Sequence, residues 1–267
     1  MDFGLLGLCG LSFVIQLIGT LAYAVRIAGV RTRRIAVSFA LFNVLVLVSR
    51  TSNLLQGPYL AKRIESVLHG NMPNHLLMDF RWLLVAGTLG TAAGALAVPT
   101  FQRLFSRAVI HFQAHRSIPK LLLHVFARGG LSYIRDAVTA PDPRHVRELK
   151  LTKSLSPRVI ALNVATQALV TVAVYAALYA GSLNPAYRVT ASQLSAVING
   201  VATILLAVFI DPHLSIMTDD VVEGRTSESH FRRAVVWLAG ARVAGTVLAQ
   251  VLLIPSAALI ALIATHI

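Results

Sequence analysis

Carboxylates are scarce in this chain of 267 residues. Eleven Asp and Glu face 24 Lys and Arg, and charged residues make up only 13% of the whole. So little charge beside 56% hydrophobic residues excludes an ordinary soluble domain. Cysteine is nearly absent too. A single residue, Cys9, excludes an intrachain disulfide and any thiolate-rich metal knuckle. The chain contains no HExxH, GxSxG or CxxC, and no glycine-rich phosphate loop ending in lysine, so the common soluble-enzyme sites are missing.

What it has in abundance is apolar sequence. Uncharged runs longer than eighteen residues recur, which predicts an all-α polytopic membrane protein of one domain with about six transmembrane helices. The spans are expected at residues 3–25, 35–55, 77–98, 159–181, 190–210 and 234–264. The opening MDFG lacks the basic stretch of a signal peptide, so the first span is expected to stay. Pro99 is expected to end the third span, and Asp211-Pro212 the fifth.

Residues 100–158 are too polar to cross. Phe101, Leu104, Phe105, Ala108, Val109 and Phe112 recur at helical spacing, opposite Gln102, Arg103, Ser106, Arg107, Gln113 and Arg116. The pattern predicts a basic amphipathic helix on the inner leaflet, followed by a second over 120–135 interrupted at Gly129-Gly130. These charges serve either to anchor the chain to anionic lipid or to form a collar for an anionic head group.

Lys and Arg are unevenly placed. Segments 26–34, 100–158 and 211–233 hold 18 of them, whereas 56–75 and 182–189 hold 3. The positive-inside rule then puts both termini outside and the three basic segments in the cytoplasm. The net charge of +13 is thus a topology signal, and no nucleic-acid partner is expected. Three spans on each side of the long segment make two halves of opposite direction, as in inverted-repeat transporters. Their sequences barely match, with mid-span Asn43 and Asn199 the best pair.

The second span holds the functional candidates. Its uncharged run, 35–49, rises only ~22 Å as a helix, short of a ~30 Å hydrocarbon core. To cross, it must bring in Asn43 and Arg50, and an arginine at a helix centre costs roughly 2.5–3.5 kcal/mol on the insertion scale. Asn53, Asp79, Arg81, Asn163, Gln167, Asn199, Arg242 and Gln250 are the other polar residues in spans. Pairing Asp79 with Arg50 or Arg81 neutralises one charge and leaves about two guanidinium groups uncompensated. That surplus predicts an anion-binding cavity with Arg50, Arg81, Arg242, Asn43, Asn53 and Asp79 as its substrate-binding residues, since the planar Arg fork suits phosphate. The sixth span either contains Arg242 or begins at it.

Other clusters are weaker. His111 and His115 stand four apart, and Asp211, Asp219, Asp220 and Glu223 gather after the fifth span. Each set has a simpler reading as solvated residues, so no metal, cofactor or catalytic residue is assigned. The small residues Gly87, Gly90, Gly94, Gly240 and Gly245 are expected to let helices pack closely.

The segments GTLAYAVRIAGVRTRRIAVSFALFNVLVLVSRTSN (19–53), DPHLSIMTDD (211–220) and RVAGTVLAQVLLIP (242–255) resemble the Amj family of lipid II flippases. The resemblance implies a protein of the bacterial inner membrane. Its partner would be lipid II, undecaprenyl-linked disaccharide-pentapeptide, carried to the outer leaflet for wall synthesis. It transfers no catalytic residues. The alternative is a membrane-embedded enzyme acting on polyprenyl phosphate through Asp79 or the Asp211–Asp220 cluster and a metal. A structural membrane protein with every intramembrane arginine paired internally is a third reading.

Overall fold

The computed structural model describes residues 2–70, 75–115, 138 and 156–267. The first helix, α1 (Phe3–Thr32), starts where Asp2 Oδ1 accepts the Leu5 N–H at 2.7 Å. It ends where Arg33 turns left-handed (φ 54) and the Arg33 and Arg34 N–H groups return to Val30 and Gly29. The next helix, α2 (Ile35–Leu68), follows at once, and α3 covers Leu76–His115. The second half runs as α4 (Pro157–Leu183), a 3-10 turn (Pro185–Tyr187), α5 (Arg188–Leu205), a π turn (Leu206–Ile210), α6 (Asp211–Val222) and α7 (Glu228–Ala264). No strand occurs among the described residues, and six helical stretches are long and apolar enough to cross a membrane.

The helices outrun the apolar spans. Pro99 does not stop α3, because hydrogen bonds on either side hold the helix through a proline when neighbouring helices pack against it. Residues 101–112 therefore continue α3 instead of forming a separate amphipathic helix. Their apolar stripe packs on α2: Phe105 lies edge-on to Phe42 with ring centroids 6.2 Å apart, and Val109 is buried with Leu41. The expected second amphipathic piece, 120–135, lies outside the described residues. Asp211-Pro212 likewise fails to end the fifth helical stretch, because proline is accommodated in the first turn of α6.

Packing within each half follows one plan. A Cβ at Gly90 would overlap the Phe13 backbone, and one at Gly94 would meet the Leu17 carbonyl at 2.9 Å. A step of four residues on α3 matches a step of four on α1, so the two helices run parallel in close contact. In the second half the Asn163 amide bonds the Leu238 carbonyl at 3.1 Å, and a Cβ at Gly245 would meet the Val164 carbonyl at 2.6 Å. Helices α4 and α7 are therefore parallel neighbours too. The two units point in opposite directions, because Gln16 meets Gln167 while Ser12 meets Tyr175. Each half thus sets its first crossing helix parallel to its third, with the two halves reversed relative to one another. The crossing helices run between two ends: a terminal end near both chain termini, and a basic end near the α1–α2 and α6–α7 links.

Candidate functional site

Asp79 sits in the first turn of α3, buried, and its partner is neither Arg50 nor Arg81. Arg63 Nε donates to Asp79 Oδ2 at 2.8 Å, and Arg63 Nη1 donates to Asp2 Oδ2 at 2.7 Å. The expected pairing gives way because α2 continues through Pro58 to Leu68. Arg63 thereby belongs to a helix facing α1 and α3 and not to a polar hairpin. The buried i, i+4 stripe Ser52, Gln56, Leu60 and Ile64 is the sequence signal that marks this extension. Asp2, at the helix start, is held below the ordinary carboxylate range by the Leu5 N–H and then by Arg63.

The three arginines singled out in the sequence take different positions. Arg50 and Asn43 lie exposed on the side of α2 away from its buried stripe, with exposed Asn53 near the stripe's edge. Arg81 is exposed on α3, and its backbone carbonyl accepts the Gln250 amide of α7 at 3.3 Å. Arg242 is partly buried. It lies well past the start of α7. Its Nη2 fills a notch left by Gly19 of α1, where a Cβ would come within 2.6 Å. The Tyr23 side chain adjoins it, while its buried Nε has no hydrogen-bond partner among the described residues. None of the three makes an ion pair among the described residues, and they share no partner there.

Between the two halves runs a polar seam. Gln167 donates to Gln16 Oε1 at 3.2 Å and to Thr171 Oγ1 at 3.1 Å. Nearer the terminal end, Gln56 donates to Ser12 Oγ at 2.6 Å and to the Tyr175 hydroxyl at 3.2 Å, and the Ser12 and Tyr175 hydroxyls are 2.9 Å apart. Most of these groups are buried, so their hydrogen bonds offset a desolvation cost that apolar residues would not incur. The sequence marks Gln167 as a polar residue in a span. It gives no sign that Gln16, Ser12, Gln56 and Tyr175 line the same boundary, because only the meeting of the two halves brings them together.

The acidic residues do not assemble into a cluster. Asp211 pairs with Arg26 at 3.1 Å, whereas Asp220 and Glu223 pair with Arg225 at 2.8 and 2.7 Å. Among the described residues no group of three or more His, Cys, Asp and Glu is placed to hold a metal ion.

Residues 11–264 match the family described as "Amj: Alternate to MurJ". The chain is also 37% identical to the lipid II flippase Amj of Bacillus subtilis (strain 168) over 249 residues, covering 93% of this chain and 92% of that protein. No solved structure matches it.

Proposed function

The chain belongs to the Amj family, and we propose that it is accordingly a lipid II flippase. It is a multi-pass membrane protein and not an enzyme. In this reading it moves the undecaprenyl-pyrophosphate-linked precursor from the inner to the outer leaflet of the bacterial cytoplasmic membrane. The basic end faces the cytoplasm and both termini lie outside, the orientation that the charge asymmetry favours. The observation that carries the function is 37% identity maintained over 93% of the chain.

The head group needs cations at membrane depth, while the prenyl tail stays in lipid. Arg50, Arg81 and Arg242, with Asn43 and Asn53, form the cationic route in this proposal. Asp79 contributes through Arg63, setting the charge at the terminal end. The exposure of Arg50 on α2 supports a laterally open route, since a guanidinium facing lipid alone costs roughly 2.5–3.5 kcal/mol. Moving about two negative charges outward across an inside-negative membrane gains roughly 2.3 kcal/mol per charge per 100 mV. The membrane potential is thus a sufficient bias, with no nucleotide in the cycle.

The test is purified protein in liposomes with fluorescent lipid II, in the absence of nucleotide and metal. Exchange between leaflets well above protein-free vesicles is expected. A rate equal to that of protein-free vesicles, with the protein folded and inserted, refutes the function.

A further inference from the structure

At the basic end, three helices bring arginines towards one carboxylate. Arg31 lies in the last turn of α1, Arg103 lies on the basic extension of α3, and Glu228 and Arg232 occupy the opening turns of α7. Arg31 Nε reaches Glu228 Oε1 at 2.6 Å, and Arg232 Nε approaches the same oxygen at 3.7 Å. Arg103 is near enough that its charge, with that of Arg31, acts on Arg232 against the pull of Glu228. Arg31 and Arg232 flank one carboxylate, and with Arg103 acting on Arg232 from the neighbouring helix the group carries a surplus of about two positive charges.

The surplus is neither fully solvated nor fully buried. The Arg31 and Arg232 side chains are 32% and 31% exposed, and Glu228 is 38% exposed. A like-charged group of this kind is costly unless an anion joins it, and the first turn of α7 adds its own positive end to the field. Guanidinium forks fixed on separate helices fit several phosphate oxygens at once, where one carboxylate satisfies only part of them. Glu228 Oε1 already stands where an anionic oxygen would sit between Arg31 and Arg232.

We infer that Arg31 and Arg232, held at Glu228, together with Arg103 on the neighbouring α3, form a docking site for the diphosphate of a polyprenyl lipid entering at the basic end. The chemistry shared with ordinary membrane lipid is the phosphate group. Surplus charge near two favours a diphosphate over the single negative charge of a phosphodiester. The identity of the lipid rests on the proposed flippase function, whereas the site itself rests on the three helices and their charges. Glu228 is then a placeholder that keeps the arginines together and yields them to the incoming phosphates.

The full chain in phosphatidylcholine nanodiscs provides the test, titrated in one arm with fluorescent undecaprenyl diphosphate and in the other with fluorescent phosphatidylglycerol. Arg232→Gln and Arg103→Gln should each weaken diphosphate binding by about tenfold, the loss expected for a charge-assisted hydrogen bond. Glu228→Gln should strengthen it by about threefold, because a competing carboxylate is gone. Arg103 is exposed, so its variant keeps the fold even if the others lose thermal stability. A purely structural ion pair predicts the reverse, with Glu228→Gln leaving binding unchanged or lower. That result overturns the inference, as does unchanged binding by Arg103→Gln. Equal changes in both arms overturn it as well, making the cluster an anchor for bulk anionic lipid. Binding is read without transport, so protein that binds the diphosphate but moves no lipid II refutes the function and leaves the site intact.

Discussion

Two kinds of seam hold this molecule together, and they are built from different chemistry. Inside each half, glycines press helix against helix: Gly90 and Gly94 of α3 against α1, and Gly245 of α7 against α4. Between the halves, side-chain hydrogen bonds and ion pairs do much of the joining, from Gln16–Gln167 and Ser12–Tyr175 to Arg26–Asp211 and Arg31–Glu228. Apolar contact also crosses, as where Phe80 of α3 meets Tyr175 and Tyr179 of α4. A glycine contact tolerates no change of shape, because the neighbouring backbone has nowhere to go. Buried amides and hydroxyls in a membrane protein are weaker fasteners, averaging about 0.6 kcal/mol each in double-mutant cycles. Each half is therefore the stiff unit and the boundary between them the compliant one.

The stiff seams carry the heaviest loss. Gly90→Leu and Gly245→Leu place a side chain into opposing backbone, where overpacking costs about 1–3 kcal/mol or more. Folded yield, read by fluorescence-detected size exclusion, should collapse for both. A well-folded Gly90→Leu would remove the distinction between the seams. Asp79→Asn comes next. It leaves Arg63 with Asp2 alone at a mostly buried position, so folded yield and thermal stability should fall. Unaltered stability would mean that Asp2 alone holds Arg63 in place.

The compliant seam predicts the opposite pattern. Gln167→Leu should cost roughly 0.6–1.7 kcal/mol of stability, leaving a folded protein whose lipid II exchange is altered. Arg50→Gln goes further in that direction. It breaks no ion pair among the described residues, eases insertion by up to ~3 kcal/mol, and should give a well-expressed protein that fails to move lipid II. Arg50→Lys, which keeps charge but loses the fork, should retain part of the activity. Normal exchange by Arg50→Gln would take Arg50 out of the route.

Loss of the Asp2 charge should disturb the molecule least. The Asp2 carboxyl titrates lower in the folded protein than its ordinary value of 3.8, so its contribution is present above that value. It is lost as pH falls through the lowered folded value. Asp2→Asn should therefore lower the melting temperature slightly at neutral pH, and the gap to the parent protein should close in acid. A gap that persists below the folded value would assign the effect to the helix cap rather than to charge.

Much of the fold is legible in the sequence, because hydrophobic length is a blunt and dependable signal for six crossings. The helix ends are not, since polar overhangs such as 56–68 and 101–115 stay helical without being apolar. Those hidden ends conceal the pairing of Arg63 with Asp79. Proline misleads at Pro99 for a related reason: a rule for isolated helices gives way where neighbours support the break. Of the glycines named from the sequence, Gly90, Gly94 and Gly245 sit at tight crossings while Gly240 meets open space, and only the partner helix decides which. Arg50 is legible as an anomaly. The outward direction of its helix face depends on where α1 lies, which local sequence does not encode.

The length of α3 makes it a lever. Gly90 stands fifteenth in a helix of 40 residues, so about 25 residues, or ~38 Å, extend from that crossing to the basic end. Because the half that carries it is stiff, α3 moves only with that half. Turning the first half by about 10° against the second, with the pivot at the level of Gly90, displaces the far tip of α3 by roughly 6–7 Å, more than one helical turn of about 5.4 Å. Arg103 lies about halfway along that arm and would travel half as far. A slight change of angle at the polar seam is thereby magnified into a shift on the scale of a phosphate group.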